Sequence, residues 1–310
     1  MDMLIAPERL ELAEAVRDYL VGTHGPEVLR RLDAGPNRDP AIWQGLVDMG
    51  LPGLLVPEAE GGLGLELLDA ALIARECGRV CLAEPLVESA YVAVPWLMAR
   101  REVFDPAAIV AGEHRPTAAH AINGWVADGD GAPLASIDPL RRLAASTTAM
   151  SDDPLLLDLG ALMAAAQLVG LAETMLDQAV EYSKIRTQFG QPVGAFQAIK
   201  HKLADVAVAL EFVRPVLWRA AQALNDGASS ASLHVSHAKL VATDAAYLSA
   251  ESAIQVHGAM GYTYEVDLHF WMKRAWALGG AWGARAFHLA RIDAAVIGAA
   301  HPIGPENTFA

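Results

Sequence analysis

The chain has 310 residues, 53% of them hydrophobic, and 23 Lys and Arg stand against 37 Asp and Glu for a formal charge of −14. That length allows two modest domains or one large one, and the alanine-rich composition suits a helical protein with a sizeable core. The acid excess, with no basic block anywhere, argues against nucleic acid or an anionic membrane as partner and reads as a solvated surface.

The segment Met1 to Glu8 carries early acid and no basic n-region, so it does not read as a signal peptide. Glu8 to Val21 places Leu10, Leu12, Ala13, Val16 and Leu20 at helical spacing, and Pro40 to Met49 reads as a second helix closed by Gly50. Leu51 to Gly64 is a loop punctuated by proline and glycine, after which Leu67 to Val80 is helical again. Cys77 and Cys81, one helical turn apart on that stretch, read as two small core residues; no histidine cluster accompanies them, so zinc is not expected.

Residues 104 to 152 differ, holding Gly112, Gly124, Gly129, Gly131, Pro116, Pro133 and Pro139. Asn123-Gly124, flanked by apolar residues, reads either as a small hairpin turn or as part of an irregular loop. From Pro154 the chain is helical to about Ala300, with Leu168, Leu171, Met175, Ala179 and Tyr182 on one stripe and a break at Asn225 to Ser230. Long helices joined by short loops read as an antiparallel bundle. Its longest uncharged run, Leu159 to Ala172, is too short to span a bilayer, and the tail from Pro302 is expected to be loose. The expected location is cytoplasmic.

Two motifs carry chemistry. The first is Arg186-Thr187-Gln188-Phe189-Gly190 with Gln197, where the helix Leu162 to Ile185 meets a second helix beginning at Ala195 and read as far as Phe212. Alone, Arg186 is an ordinary surface residue after a helix. Together with Gln188, Phe189 and Gln197 it forms a fork for a diphosphate beside a ring that stacks on a flat group. The second is Gln255-Val256-His257-Gly258-Ala259-Met260-Gly261-Tyr262, a glycine-bearing helix end that by itself reads equally as a tight junction. His201, His234, His237, His257 and His269 are scattered, and no inward-facing Glu-x-x-His pair suggests a metal. Trp271, Trp276 and Trp282 read as packing or subunit interface, with the sharper alternative that Trp282 fills a vacant active site.

These two motifs, at this separation, resemble the flavin-binding C-terminal domain of the acyl-CoA dehydrogenases. Trp43, Met49-Gly50-Leu51, Val56-Pro57-Glu58, Gly61-Gly62-Leu63-Gly64, Glu76 and Gly78-Arg79 are similar to the N-terminal helical domain of the same family. The resemblance covers residues 7 to 100 and 154 to 295. It implies a mainly α fold with an N-terminal helical domain (1–103), a truncated middle β segment (104–152) and a C-terminal four-helix bundle (153–310).

It also implies FAD-dependent removal of two hydrogens from an acyl-CoA thioester, a carboxylate taking the α-proton while the flavin takes the β-hydride. Arg186, Gln188, Phe189, Gln197, Gln255, Gly258 and Ala259 then contact FAD across a subunit interface, Ala259 standing where the family has a second glycine. The family's middle barrel is about twice as long, and its Thr-Glu-Pro run is missing here. The two positions where branches of the family carry the catalytic glutamate are Trp282 and Gly160, with Asp158 two residues away from the latter and facing elsewhere. The chain therefore resembles the shortened, base-less subunit of a heteromeric acyl-CoA dehydrogenase. The expectation is an α2β2 assembly with a full-length partner that holds most of the acyl-CoA, a steroid side-chain thioester being one candidate. The alternatives are a flavin-free scaffold with the same fold and, less favoured, a self-sufficient enzyme with an unusual base.

Overall fold

The computed structural model describes residues 5–35, 37–102, 104–298 and 304. The expectations for Met1 to Leu4 and, apart from Gly304, for the tail from Pro302 lie outside them. The fold is mainly helical, as the resemblance implies. Helices α1 (Pro7–Thr23), α2 (Pro26–Asp33), α3 (Pro40–Asp48) and α4 (Leu67–Arg79) come first. A π-helical turn, Val87–Ala93, then runs without a break into α5 (Val94–Ala99), and α6 (Pro106–Val110) follows. Asp-Pro pairs start several elements. Asp39, Asp105, Asp138 and Asp153 each accept a hydrogen bond from the second backbone N–H of the helix or 3-10 turn they cap, and the following proline occupies the first position, where no donor is needed.

The middle segment carries only β1 (Val126–Ala127) and β2 (Leu143–Ala144), paired antiparallel with Val126 opposite Ala144. No hairpin turns at Asn123-Gly124. Those residues close a turn on the His120 carbonyl, with Gly124 at φ 68°, and the Asn123 side chain is taken by a distant partner described below. The Cys77–Cys81 expectation also needs correction. Both thiols are buried, but α4 ends at Arg79, and Cys81 lies beyond it with φ 54°. Burial raises both thiol pKa values, that of Cys81 to about 12, so neither is a nucleophile.

The bundle is built from α7 (Pro154–Ile185), α8 (Gln197–Asn225), α9 (Ala231–His257) and α10 (Leu268–Gly280), with α11 (Arg285–Val296) against α9. A two-residue hairpin of β3 (Thr187–Gln188) and β4 (Gln191–Pro192) joins α7 to α8. By length and composition α7 would cross a bilayer, a point the uncharged run alone does not reveal; 94% of its most apolar stretch is buried inside the protein.

Helices α4 and α7 approach backbone to backbone. A Cβ on Gly78 would fall 2.2 Å from the Gln167 carbonyl oxygen, and one on Gly170 would fall 1.9 Å from that of Arg75. Beside this seam Glu173, on α7, accepts hydrogen bonds from Arg75 and Arg79 of α4 and Arg214 of α8, several at 2.9 Å. Burial would raise the Glu173 pKa, but the three guanidinium groups more than offset it and hold the carboxyl low.

Candidate functional site

The last turn of α7, the first of α8 and the last of α9 lie at one end of the bundle. The hairpin there turns on Phe189 (φ 51°) and Gly190 (φ 81°), both left-handed, as a type I′ turn requires. A bulky residue at φ > 0 is unusual, and Phe189 is 92% exposed, with only an edge contact to Phe196 at 6.2 Å. Arg186 is exposed at the end of α7, its backbone N–H bonded to the Tyr182 carbonyl. Its guanidinium has no hydrogen bond or ion pair among the described residues, unlike the arginines of the Glu173 hub. Gln188 and Gln197 are exposed beside it.

The second motif reaches the same end. The ring of His257 stacks on Tyr182 (4.3 Å, 27°), and the Tyr182 hydroxyl lies 3.9 Å from the Met260 sulfur. Gln255 and Gly258 are exposed. Gly258 caps α9 at φ 64°, ψ −137°, a region open essentially to glycine alone, and no atom lies within 4 Å of where its Cβ would be. Its backbone is thus open to close approach. Ala259 sits in the 3-10 turn Gly258–Tyr262 and is not among the positive-φ residues, so its methyl group costs no backbone strain. The fold therefore brings all seven residues read from the two motifs to one exposed end, with an unpaired cation, three amides, an aromatic face and an open glycine backbone. That donor set fits the diphosphate and adenosine part of a dinucleotide.

Trp282 and Gly160 are far apart in sequence but touch. A Cβ on Gly160 would lie 2.1 Å from Cδ2 of Trp282, so the indole rests directly on the glycine. Trp282 is buried, with φ 57°. Its backbone N–H donates to Asn123 Oδ1 (2.7 Å), its carbonyl accepts from His288 Nε2 (2.9 Å), and Trp125 meets its ring edge-on at 6.0 Å. Lys239 holds both flanks of this loop, donating to the carbonyls of Gly279 (3.1 Å) and Gly283 (3.5 Å). Burial, with Arg141 adding to it, lowers the Lys239 pKa to about 7. Burial likewise lowers that of His288 to about 4, so it is a neutral imidazole.

Asp158 faces away from Trp282. It accepts from Ser232 and pairs with Arg291 at 2.8 Å. Of the other tryptophans, Trp271 is buried and donates to the Arg79 carbonyl at 2.8 Å, whereas Trp276 is 38% exposed. Sequence reading misses Asn123, Trp125 and Lys239 as the setting of Trp282, because every one of those contacts joins distant segments.

Two family models match the chain: the acyl-CoA dehydrogenase N-terminal domain over residues 6–99 and the C-terminal domain over residues 155–297. Acyl-CoA dehydrogenase IpdE2 of Mycobacterium tuberculosis is 32% identical over 86% of this chain and 91% of its own length. Among solved structures, the ChsE4-ChsE5 complex from Mycobacterium tuberculosis aligns with a TM-score of 0.85 at 22% identity, over 98% of this chain and 100% of that one. The Tcur3481-Tcur3483 steroid ACAD aligns at 0.83 and 24% identity, over 95% and 99%.

Proposed function

The chain belongs to the acyl-CoA dehydrogenase family, and from that premise we propose that it is the non-catalytic subunit of a heteromeric, FAD-dependent enzyme of this family. The observation that carries the proposal is the contact of Trp282 with Gly160. The two positions at which the family places its carboxylate base lie against each other here, and neither holds an acid. An α-proton needs a base within hydrogen-bond reach, and an indole packed on a glycine leaves neither the group nor the room.

The other end of the bundle supports a cofactor role. Arg186, Gln188, Phe189, Gln197, Gln255, Gly258 and Ala259 would hold the diphosphate and adenosine of FAD bound mainly by a full-length partner subunit, which supplies the base and most of the acyl-CoA pocket. When bound, FAD supplies the hydride acceptor. Arg186 would pair with the diphosphate through two parallel hydrogen bonds, Phe189 would cover the adenine side, and Gly258 would let the backbone approach. The heteromeric arrangement is supported by the structural likeness to the ChsE4-ChsE5 complex, and a steroid-derived acyl group by the likeness to a steroid ACAD.

The test is co-expression with a full-length family member, followed by measurement of mass, flavin content and turnover for wild type and Arg186→Ala. Losing one partner of a desolvated charge pair costs roughly 2–5 kcal/mol, or about 30-fold or more in FAD affinity. Unchanged flavin binding in an intact complex would refute the role and favour a flavin-free scaffold.

A further inference from the structure

The end of the bundle that carries Arg186 also carries an aromatic side chain, the last residue of the second motif, to which the reading above gives no role. Tyr262 closes the 3-10 turn Gly258–Tyr262 and is 79% exposed. Its neighbour Tyr264 is accounted for: Lys273 sits over its ring at 4.6 Å, and His269 meets it edge-on at 4.7 Å. Tyr262 has no ring contact and no hydrogen bond among the described residues.

The turn that presents Tyr262 is fixed. Gly261 is buried where a Cβ would lie 2.8 Å from the Ile254 carbonyl oxygen, so the turn folds tightly back on the last turn of α9. Met260 touches Tyr182, one turn before Arg186. Phe189 at 92% exposure, Ile185 at 77% and Tyr262 at 79% are thus large exposed side chains at the end of the bundle that also presents the unpaired guanidinium. Isolated exposed apolar residues need no explanation, but a cluster of this kind marks a surface that another molecule covers.

We propose that Tyr262 is a binding residue whose ring stacks on the adenine of the partner-bound FAD, so that Phe189 and Tyr262 together supply aromatic faces for the adenosine half while Arg186 takes the diphosphate. The inference rests on the FAD-sharing role proposed above. The ligand chemistry is an adenosine diphosphate group, which FAD and the acyl-CoA thioester both contain, and the proposal commits to that of FAD. Stacking a base on an aromatic ring is sequence-tolerant and desolvates a purine face without any polar partner, which an exposed, unbonded tyrosine is suited to provide.

The experiment uses the co-expressed complex stripped of flavin and titrated with FAD and with FMN, which lacks the adenosine. Tyr262→Ala and Tyr262→Leu are expected to weaken FAD binding about tenfold and to leave FMN binding unchanged, and Tyr262→Phe is expected to stay within about twofold of wild type. Equal losses for FAD and FMN would overturn the proposal, as would unchanged FAD binding in both variants. Weakened acyl-CoA binding with FAD unaffected would also overturn it, since the stacked adenosine would then be that of CoA. Arg186→Ala, titrated alongside, separates the two levels. If it weakens FAD binding while the Tyr262 variants do not, the shared cofactor stands and only the tyrosine's role falls. If neither changes FAD binding, the shared cofactor falls as well. Assembly mass is followed throughout; because Tyr262 is exposed and unbonded, the variants are expected to assemble as wild type does.

Discussion

The seat of Trp282 on Gly160 makes a quantitative prediction. A methyl group added at Gly160 would lie 2.1, 2.3 and 2.4 Å from three carbons of the indole. Carbon atoms pack at about 3.5–4.0 Å, so the ring must retreat by roughly 1.5 Å. It has nowhere to go, since its backbone is tied at 2.7 Å to Asn123 and at 2.9 Å to His288 and its ring abuts Trp125. Overpacking of this kind costs about 1–3 kcal/mol, and here the upper end applies. The better helix propensity of alanine returns about 1 kcal/mol, leaving Gly160→Ala about 2 kcal/mol destabilising. Trp282→Ala alone should cost about 3–5 kcal/mol as a cavity. In that background the methyl group has room, and Gly160→Ala becomes stabilising by about 1 kcal/mol. The double variant should therefore be less damaged than Trp282→Ala, with a coupling of about 3 kcal/mol, the top of the range for residues in contact. Urea unfolding of the four proteins, at one concentration and with the same partner content, measures it. Strict additivity, or a neutral Gly160→Ala, would show that the indole does not rest on residue 160.

Glu173→Gln should cost roughly 3–5 kcal/mol, because it leaves three guanidinium groups without their buried carboxylate. The Glu173 carboxyl is held below its ordinary range, so its contribution is full above an unfolded pKa of about 4.3 and is lost as pH falls through the lower folded value. The variant should show a flatter loss of stability below about pH 4 in acid melts. Lys239 changes stability in the same direction, at higher pH. Its folded pKa of about 7 lies under an unfolded value of about 10.4, so relative stability is present above the latter and lost as pH falls through the former. Between pH 7 and about 8.5, before the two buried thiols begin to act in the other direction, melting temperature should rise in wild type by an amount corresponding to about 2 kcal/mol, and this component should vanish in Lys239→Met. Expressed without a partner, the chain should be colourless or poorly soluble; a soluble, stoichiometrically yellow protein would contradict the shared cofactor.

Much of this architecture is legible from local pattern. The bundle announces itself through apolar stripes and the break before α9, and the proposed cofactor end through two motifs whose residues sit at helix ends, where sequence neighbours remain spatial neighbours. The second helix of the bundle runs to Asn225 rather than Phe212, because Val213, Leu217, Ala220 and Ala221 continue its buried face through Pro215. What local pattern does not carry is tertiary choice. Asn123-Gly124 has the propensity of a hairpin turn, yet the Asn123 side-chain oxygen Oδ1 accepts from the Trp282 backbone N–H 159 positions away. Lys239 lies in an ordinary helical stretch, and only the arrival of Gly279 and Gly283 shows why a lysine is buried there. Cys81 has the spacing of a helical face, but the left-handed residue after α4 redirects the chain.

The reciprocal glycines of α4 and α7 bear on how such a chain can lose material. Gly78 and Gly170 let two backbones meet with no side chain between them, and the Glu173 hub fastens them on the flank. The two helical halves are thus registered against each other directly, like a mortise and tenon, rather than through the segment that joins them. That segment is relieved of aligning the halves, although Asn123 and Trp125 still seat Trp282 and Asp138 still pairs with buried Arg274. A lineage carrying this joint can change the length of the connecting segment while both halves keep their mutual alignment. The same joint makes an exposed loop within 104–152 a natural site for grafting, since an inserted domain there would meet two halves already aligned.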